Sequence, residues 1–267
     1  MPTRIEQKFA DLARAGKKGF IAYITAGDPN LKATVDIVLR LEEAGVDIVE
    51  LGVPFSDPLA DGRVNQMSAG RALEAGATVK GVVECIAAIR KKSEMPLLCY
   101  SYLNPLCAGG FDRTVKAAAA AGLDGMLLLD MPVEEAGPYA PSLDRQGVNS
   151  ICLVTPTSPV ERIRSIVKAS SGFVYCVSRE GVTGMQKNLS SGAHDLIRRV
   201  KKHTRLPVAM GFGVATPAQA RDAVAVADAV VVGSAIVNRF YEAPHTAAGR
   251  RQAAQWVAKL VRAVKEV

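Results

Sequence analysis

Aromatic residues are scarce in this sequence: seven Phe, six Tyr and one Trp among 267 residues. They are too few and too dispersed to form a platform on which nucleic-acid bases stack. No run of about 18 or more apolar residues occurs, so no segment reads as a membrane-spanning helix. The opening stretch, MPTRIEQKFADLARAGKKG, has no apolar core ahead of a cleavage site. It reads as an amphipathic helix, not a signal peptide, and the expected location is the cytoplasm. The cysteines, Cys85, Cys99, Cys107, Cys152 and Cys176, are odd in number and include no CxxC pair. Buried, reduced thiols in a reducing compartment are expected. His194, His203 and His245 show no HExxH or other ligand spacing, so no protein-held metal is expected.

Basic residues outnumber acidic ones, 33 to 26, for a formal charge of +7. The excess is spread along the chain. The pairs Lys17-Lys18, Lys91-Lys92, Arg198-Arg199 and Lys201-Lys202 fall at predicted helix ends or beside loops, where cations complement the helix dipole. This pattern reads as a solvated surface whose field attracts an anionic substrate. With 49% hydrophobic and 22% charged residues and no visible linker, one globular domain over 1–267 is expected.

Short apolar runs recur at 19–27, 47–52, 96–102, 125–130, 149–154, 172–178, 207–213 and 229–235. Several lack polar alternation, as parallel strands covered on both faces do. Helical spacing fills the intervals, for example Leu31–Ala44, Thr78–Lys92, Phe111–Ala121, Val133–Gln146 and Thr216–Ala227. The expected fold is an α/β (β/α)8 barrel, the TIM barrel, with an extra N-terminal helix. A doubly wound sheet would favour a GxGxxG turn after the first strand, and none is present. One interval breaks the rhythm: between strands two and three lies the polar, turn-rich PFSDPLADGRVNQ, which reads as a structured functional loop.

Chemistry in such a barrel sits at the C-terminal ends of the strands. Glu50 interrupts the apolar run DIVELG and shares a face with Ile48 and Gly52. Neither face suits an unassisted carboxylate. It is either a structural glutamate paired with a buried Arg or Tyr, or a general acid/base whose pKa is raised by desolvation. Asp61, in Ala60-Asp61-Gly62, is either a turn residue or a second carboxylate at the same barrel mouth. Gly211-Phe212-Gly213 and Gly233-Ser234 close strands seven and eight, where barrels commonly bind phosphate through backbone N–H groups and a short helix N-terminus. Ser178–Met185, with glycines flanking Val182-Thr183, is either a loop that closes over substrate or a plain connection. No GxSxG elbow, Cys–His pair or strand-end lysine is present, which leaves carboxylate acid/base chemistry best supplied.

The strings AYITAGDP, DIVELGVPFSDPLADG, DMPVEEA, YCVSREGVTG, MGFG and VVGSAIV, in this order, closely resemble the tryptophan synthase alpha subunit family from Phe20 to Val237. The second string is the most specific. The resemblance implies cleavage of indole-3-glycerol phosphate to indole and glyceraldehyde 3-phosphate, without a cofactor in this chain. It implies Glu50 as the acid/base and Asp61 as the residue that contacts indole. It implies a lid at Thr183 and Gly184, and a phosphate grip from Gly184, Gly213, Gly233 and Ser234 with Tyr175 in the same pocket. Tyr23, Tyr100 and Phe212 fall where the family lines the indole pocket, and Asp57 and the segment around Asn104 fall where it meets a beta subunit that holds pyridoxal phosphate. An α2β2 tetramer is implied with that partner. One departure stands out: Arg63-Val64-Asn65-Gln66 places Asn65 where the family has an aliphatic residue beside indole. Asn65 is either a tolerated rim substitution or a change in the indole site. Two alternatives share the scaffold, a stand-alone indole-releasing lyase and a catalytically silent activating subunit; a phosphoribosyl-type isomerase would share the GFG and GS ends but not the ELG…ADG loop.

Overall fold

The computed structural model describes residues 2–177, 191–211 and 213–267. Eight strands, β1 (Gly19–Thr25), β2 (Ile48–Gly52), β3 (Leu97–Ser101), β4 (Gly125–Leu128), β5 (Asn149–Val154), β6 (Val174–Val177), β7 (Val208–Gly211) and β8 (Ala229–Val232), pair in parallel and in chain order. β8 closes onto β1 with Phe20 opposite Val230. Closure into a barrel excludes the open doubly wound sheet. Helices α1 (Arg4–Arg14), α2 (Leu31–Glu43), α3 (Arg63–Glu74), α4 (Val79–Arg90), α5 (Leu103–Ala108), α6 (Phe111–Ala120), α7 (Ala140–Gln146), α8 (Val160–Ala169), α9 (Ser191–Lys201), α10 (Pro217–Val224), α11 (Ser234–Glu242) and α12 (Ala247–Lys265) accompany them. Among the described residues, no helix is long and apolar enough to cross a membrane.

Strand alternation divides the apolar side chains into two cores. Val49, Leu51, Leu97, Cys99 and Met210 face the helices, whereas Ile21, Ile48, Leu98, Leu127, Ile151 and Phe173 fill the barrel interior. The N-terminal helix α1 plugs the interior from below with Ile5, Phe9 and Leu12, and Phe9 meets Phe173 with ring centroids 5.5 Å apart. A capping box between Thr3 and Glu6 starts this helix. The filled floor leaves the opposite end of the barrel as the place for a ligand.

Three aspartates at the floor tie neighbouring strands together. Asp47, Asp124 and Asp228 precede β2, β4 and β8, and accept N–H bonds from Phe20 at 2.7 Å, Leu97 at 2.9 Å and Val208 at 2.9 Å. Each is also paired with a cation: Lys265, Arg90 and Lys201 respectively.

Four local expectations are corrected. Val133–Gln146 is not one helix but a 3₁₀ turn at Val133–Glu135 followed by α7. Pro138 has no N–H to donate and disfavours helical geometry at Gly137 before it. Arg63-Val64-Asn65-Gln66 is not loop but the first turn of α3, whose small residues Ser68, Ala69 and Ala72 let it pack closely. Ser234 does not extend the eighth strand run but opens α11. Cys107 is exposed on α5, a helix absent from the sequence reading, and Cys152 is only partly buried, while Cys85, Cys99 and Cys176 are buried and all five are free thiols.

Candidate active site

Above the apolar floor, the interior changes character. Tyr23 on β1 and Glu50 on β2 are register partners, and Tyr100 on β3 and Tyr175 on β6 point into the same space. The Tyr23 and Tyr100 rings meet edge-on, 4.8 Å between centroids. Two strand glycines make room for these rings. A Cβ on Gly52 would lie 2.8 Å from Cε2 of Tyr23, and one on Gly211 would lie 2.8 Å from Cε1 of Tyr175.

Glu50 is 0% exposed. Neither of its carboxyl oxygens has a hydrogen-bond partner among the described residues. A glutamate paired with a buried Arg or Tyr is therefore not what is observed there. Burial alone raises its pKa from the ordinary 4.5 to about 8, so the acid is protonated at neutral pH and close to the point of releasing its proton. Asp61 is also buried, but its surroundings differ. Oδ2 accepts a bond from the Tyr102 hydroxyl at 3.0 Å, and Oδ1 accepts from the Tyr100 hydroxyl at 3.3 Å and Asn65 Nδ2 at 3.4 Å. Burial raises its pKa while these three donors act in the opposite direction. Burial, and then the neighbouring carboxylates, hold the phenols of Tyr23, Tyr100 and Tyr175 well above their ordinary 10, so all three are neutral hydrogen-bonding groups. Two carboxyl groups in unlike settings, one unpartnered and one donor-rich, suit a reaction in which one transfers a proton and the other answers a developing positive charge.

Across the mouth, Gly233 caps α11 without any side-chain bond, and Ser234 is the first residue of that helix. The first-turn N–H groups of a helix have no partner within it, and they favour an anion. A Cβ on Gly233 would stand 3.5 Å from Cβ of Tyr23, so this helix end adjoins the tyrosine layer. Gly213 adopts φ +77°, a left-handed turn directly after the β7 end.

The chain was compared with known proteins. The family model described as "Tryptophan synthase alpha chain" matches residues 9–267. The chain belongs to the tryptophan synthase alpha chain family. It is 46% identical to the tryptophan synthase alpha chain of Geotalea daltonii, covering 89% of this chain and 90% of that one. It is 42% identical to that of Geobacter sulfurreducens, covering 99% and 98%. Among solved structures, the alpha subunit of Legionella pneumophila superposes with a TM-score of 0.90 at 32% identity and full coverage of both chains. A tryptophan synthase structure from Mycobacterium tuberculosis gives 0.90 at 32% identity, covering 99% of each chain. Tryptophan synthase alpha chains are lyases of tryptophan biosynthesis that cleave indole-3-glycerol phosphate.

In this alpha chain, Tyr23, Glu50, Asp61, Tyr100 and Tyr175 converge in one layer, with Gly233 and Ser234 beside it. Thr183, Gly184 and Phe212 lie outside the described residues. Asp57, in the loop after β2, and Asn104, on α5, are both exposed and stand apart from the buried layer. Sequence reasoning missed Tyr102. Its hydroxyl donates to Asp61 and accepts the Ala60 N–H at 2.9 Å, and its ring lies 5.3 Å from that of Phe55. It thereby ties the exposed loop to the buried carboxylate. The signal was present in Tyr100-Ser101-Tyr102, whose period of two, carried one residue past the end of β3, lets both hydroxyls reach the same carboxylate.

Proposed function

We propose that Glu50 transfers the protons and Asp61 holds the ring N–H in the cleavage of indole-3-glycerol phosphate to indole and glyceraldehyde 3-phosphate. The observation that carries this reading is the isolated Glu50 carboxyl, buried, unpartnered among the described residues and shifted to about 8. Protonated Glu50 gives its proton to indole C3, which puts positive charge on the ring nitrogen. Asp61, accepting the ring N–H, stabilises that charge as it develops. The Glu50 carboxylate then takes the proton of the hydroxyl on the carbon attached to C3. The electron pair of that O–H bond becomes the aldehyde C=O, the C–C bond breaks, and its electrons return to the ring. Indole leaves with a hydrogen at C3, glyceraldehyde 3-phosphate leaves as the aldehyde, and Glu50 is again protonated. The same group acts as acid and base, which needs a pKa near working pH.

The phosphate is held by the N–H groups at Gly233 and Ser234 and by the Gly213 turn, with Gly184 completing the grip and Thr183 closing the lid. Binding energy from this remote group orients the bond to be broken. Tyr23, Tyr100, Tyr175 and Phe212 enclose the ring. Asp57 and Asn104, with exposed Leu59 in the same loop as Asp57, dock a beta subunit that carries pyridoxal phosphate in an α2β2 tetramer in the cytoplasm. The test is release of indole from indole-3-glycerol phosphate, with and without a beta subunit, by wild type and Glu50→Gln. Turnover by wild type and its loss in Glu50→Gln are expected; no indole from wild type under either condition overturns the reading.

A further inference from the structure

The Asp61 carboxylate offers about four lone-pair sites. Among the described residues no cation faces it. The groups around it are Tyr23 on β1, Glu50 on β2, Tyr100 on β3 with Tyr102 just beyond, Tyr175 on β6, and Asn65 on α3. Tyr100 and Asn65 occupy Oδ1 between them, and Tyr102 takes one site on Oδ2. One site on Oδ2 is left for a ligand.

We propose that Asn65 is a positioning residue: with Tyr100 it fills Oδ1 of Asp61, fixes the plane of the carboxylate, and so presents Oδ2 to the N–H of the bound ring. This rests on the reading of Asp61 given above and adds the device that aims it. The helix geometry is suited to the task. Gly62 is the N-cap of α3, so Asn65 is its third residue, from which a side chain reaches back over the helix start. Gln66 reinforces the same turn by donating to the Asp61 carbonyl at 2.9 Å. The orientation of the Asn65 amide follows from chemistry, since a flipped amide would set oxygen against oxygen. The other end of that amide is the second observation. Asn65 Oδ1 is buried with no partner among the described residues. An aliphatic side chain, the family's usual choice here by the resemblance above, would avoid that penalty. A residue that weakens the fold while bonding the site carboxylate is placed for the site.

The experiment is a 13C NMR titration of the Asp61 side-chain carboxyl in the unliganded full chain, for wild type, Asn65→Leu and Tyr100→Phe, alongside thermal melts and pH profiles of kcat/KM. Asn65→Leu keeps the heavy-atom count and branching of the side chain and removes the donor. The expected result is a rise of the Asp61 midpoint by about half a pH unit or more. The acid limb of kcat/KM should move by the same amount, kcat should fall about tenfold with KM little changed, and Tm should be no lower than wild type. Tyr100→Phe should raise the midpoint in the same direction. A midpoint that stays in place in folded Asn65→Leu overturns the proposal, as does a lowered Tm with an unmoved midpoint, the mark of a merely structural residue. If Leu is not accommodated, Asn65→Ala carries the same measurements, and failure of both to fold also overturns it. The titration needs no turnover. A midpoint that moves while the pH profile does not would instead remove Asp61 from its role in the reaction and leave the positioning intact.

Discussion

Glu50 and Asp61 are both acidic and both buried, yet they are prepared for opposite tasks by what touches them. With no donor for its carboxylate form, Glu50 holds its proton to about pH 8. Three donors support the carboxylate of Asp61. The reaction proposed above starts from protonated Glu50 and an Asp61 carboxylate. The profile of kcat/KM against pH should therefore fall on the alkaline side near 8 and on the acid side at a midpoint above the ordinary 3.8 of an aspartate. Glu50→Gln should lower turnover by ~10²–10⁴-fold. The same substitution should stabilise the fold, and increasingly so as pH rises. Below about 4.5 the carboxyl is protonated whether the chain is folded or not. Between 4.5 and about 8 only the unfolded chain releases the proton, so wild type loses stability relative to the variant. The slope is about 1.4 kcal/mol per pH unit. Urea titrations of both proteins at a series of pH values read it, and parallel stability curves would contradict the raised pKa. At Gly211, substitution by alanine should push the Tyr175 ring aside and cost about 1–3 kcal/mol. An unchanged urea midpoint and an unchanged KM in Gly211→Ala would show that the ring does not depend on that space.

The strands owe their positions to devices at both ends of the barrel. At the floor, Asp124 links three elements: it accepts the Leu97 N–H at the start of β3, pairs with Arg90 at the end of α4 at 3.0 Å, and meets Arg4 of α1 at 3.1 Å. Asp124 and Arg90 are both largely buried. Removing one partner of a buried pair leaves the other uncompensated, so Asp124→Ala should cost about 3–5 kcal/mol. Guanidinium unfolding measures this, and a loss below 1 kcal/mol would mean that the register is held elsewhere. At the mouth, the loop after β2 and the first turn of α3 act as one unit. Tyr102 anchors the loop at Ala60 and Asp61, and Gln66 anchors it at the Asp61 carbonyl. Any force on the exposed part of that loop is therefore passed to the carboxylate by short hydrogen bonds.

For the whole molecule, the α1 plug and the apolar floor close one end of the barrel, so the proposed chemistry and the proposed docking surface share the other. Leu59 is 76% exposed at the rim beside Asp57, and Met67 on α3 is also exposed. A large apolar side chain held in water next to the site loop is suited to docking a partner. Leu59→Ser should leave the melting temperature of the isolated chain nearly unchanged and weaken binding of the beta subunit about tenfold, ~1.4 kcal/mol. Isothermal titration with the beta subunit decides it; equal affinities would place the docking contact elsewhere on the rim.

Much of this architecture is a local property of the chain. The apolar runs, the helical spacing between them and the glycines at the ends of strands seven and eight are patterns within a few residues. They mark eight strands, a barrel and Glu50 as the misplaced acid without knowledge of what lies across the barrel. Local pattern failed where two tendencies compete over a few residues, as at Gly137-Pro138, where proline ended a helix that spacing alone would continue. It also failed to tell which side of a fully buried strand faces inward, because both sides are apolar. Barrel closure settled that, and with it the fates of the two acids. Burial without a partner among the described residues raises the pKa of Glu50, and burial raises that of Asp61 against the pull of the Tyr100 and Tyr102 phenols, distant in sequence, and of an amide on the next helix. Desolvation and hydrogen bonding depend on neighbours in space, so acid/base character belongs to the folded barrel, while the residue types that make it possible are written along the chain.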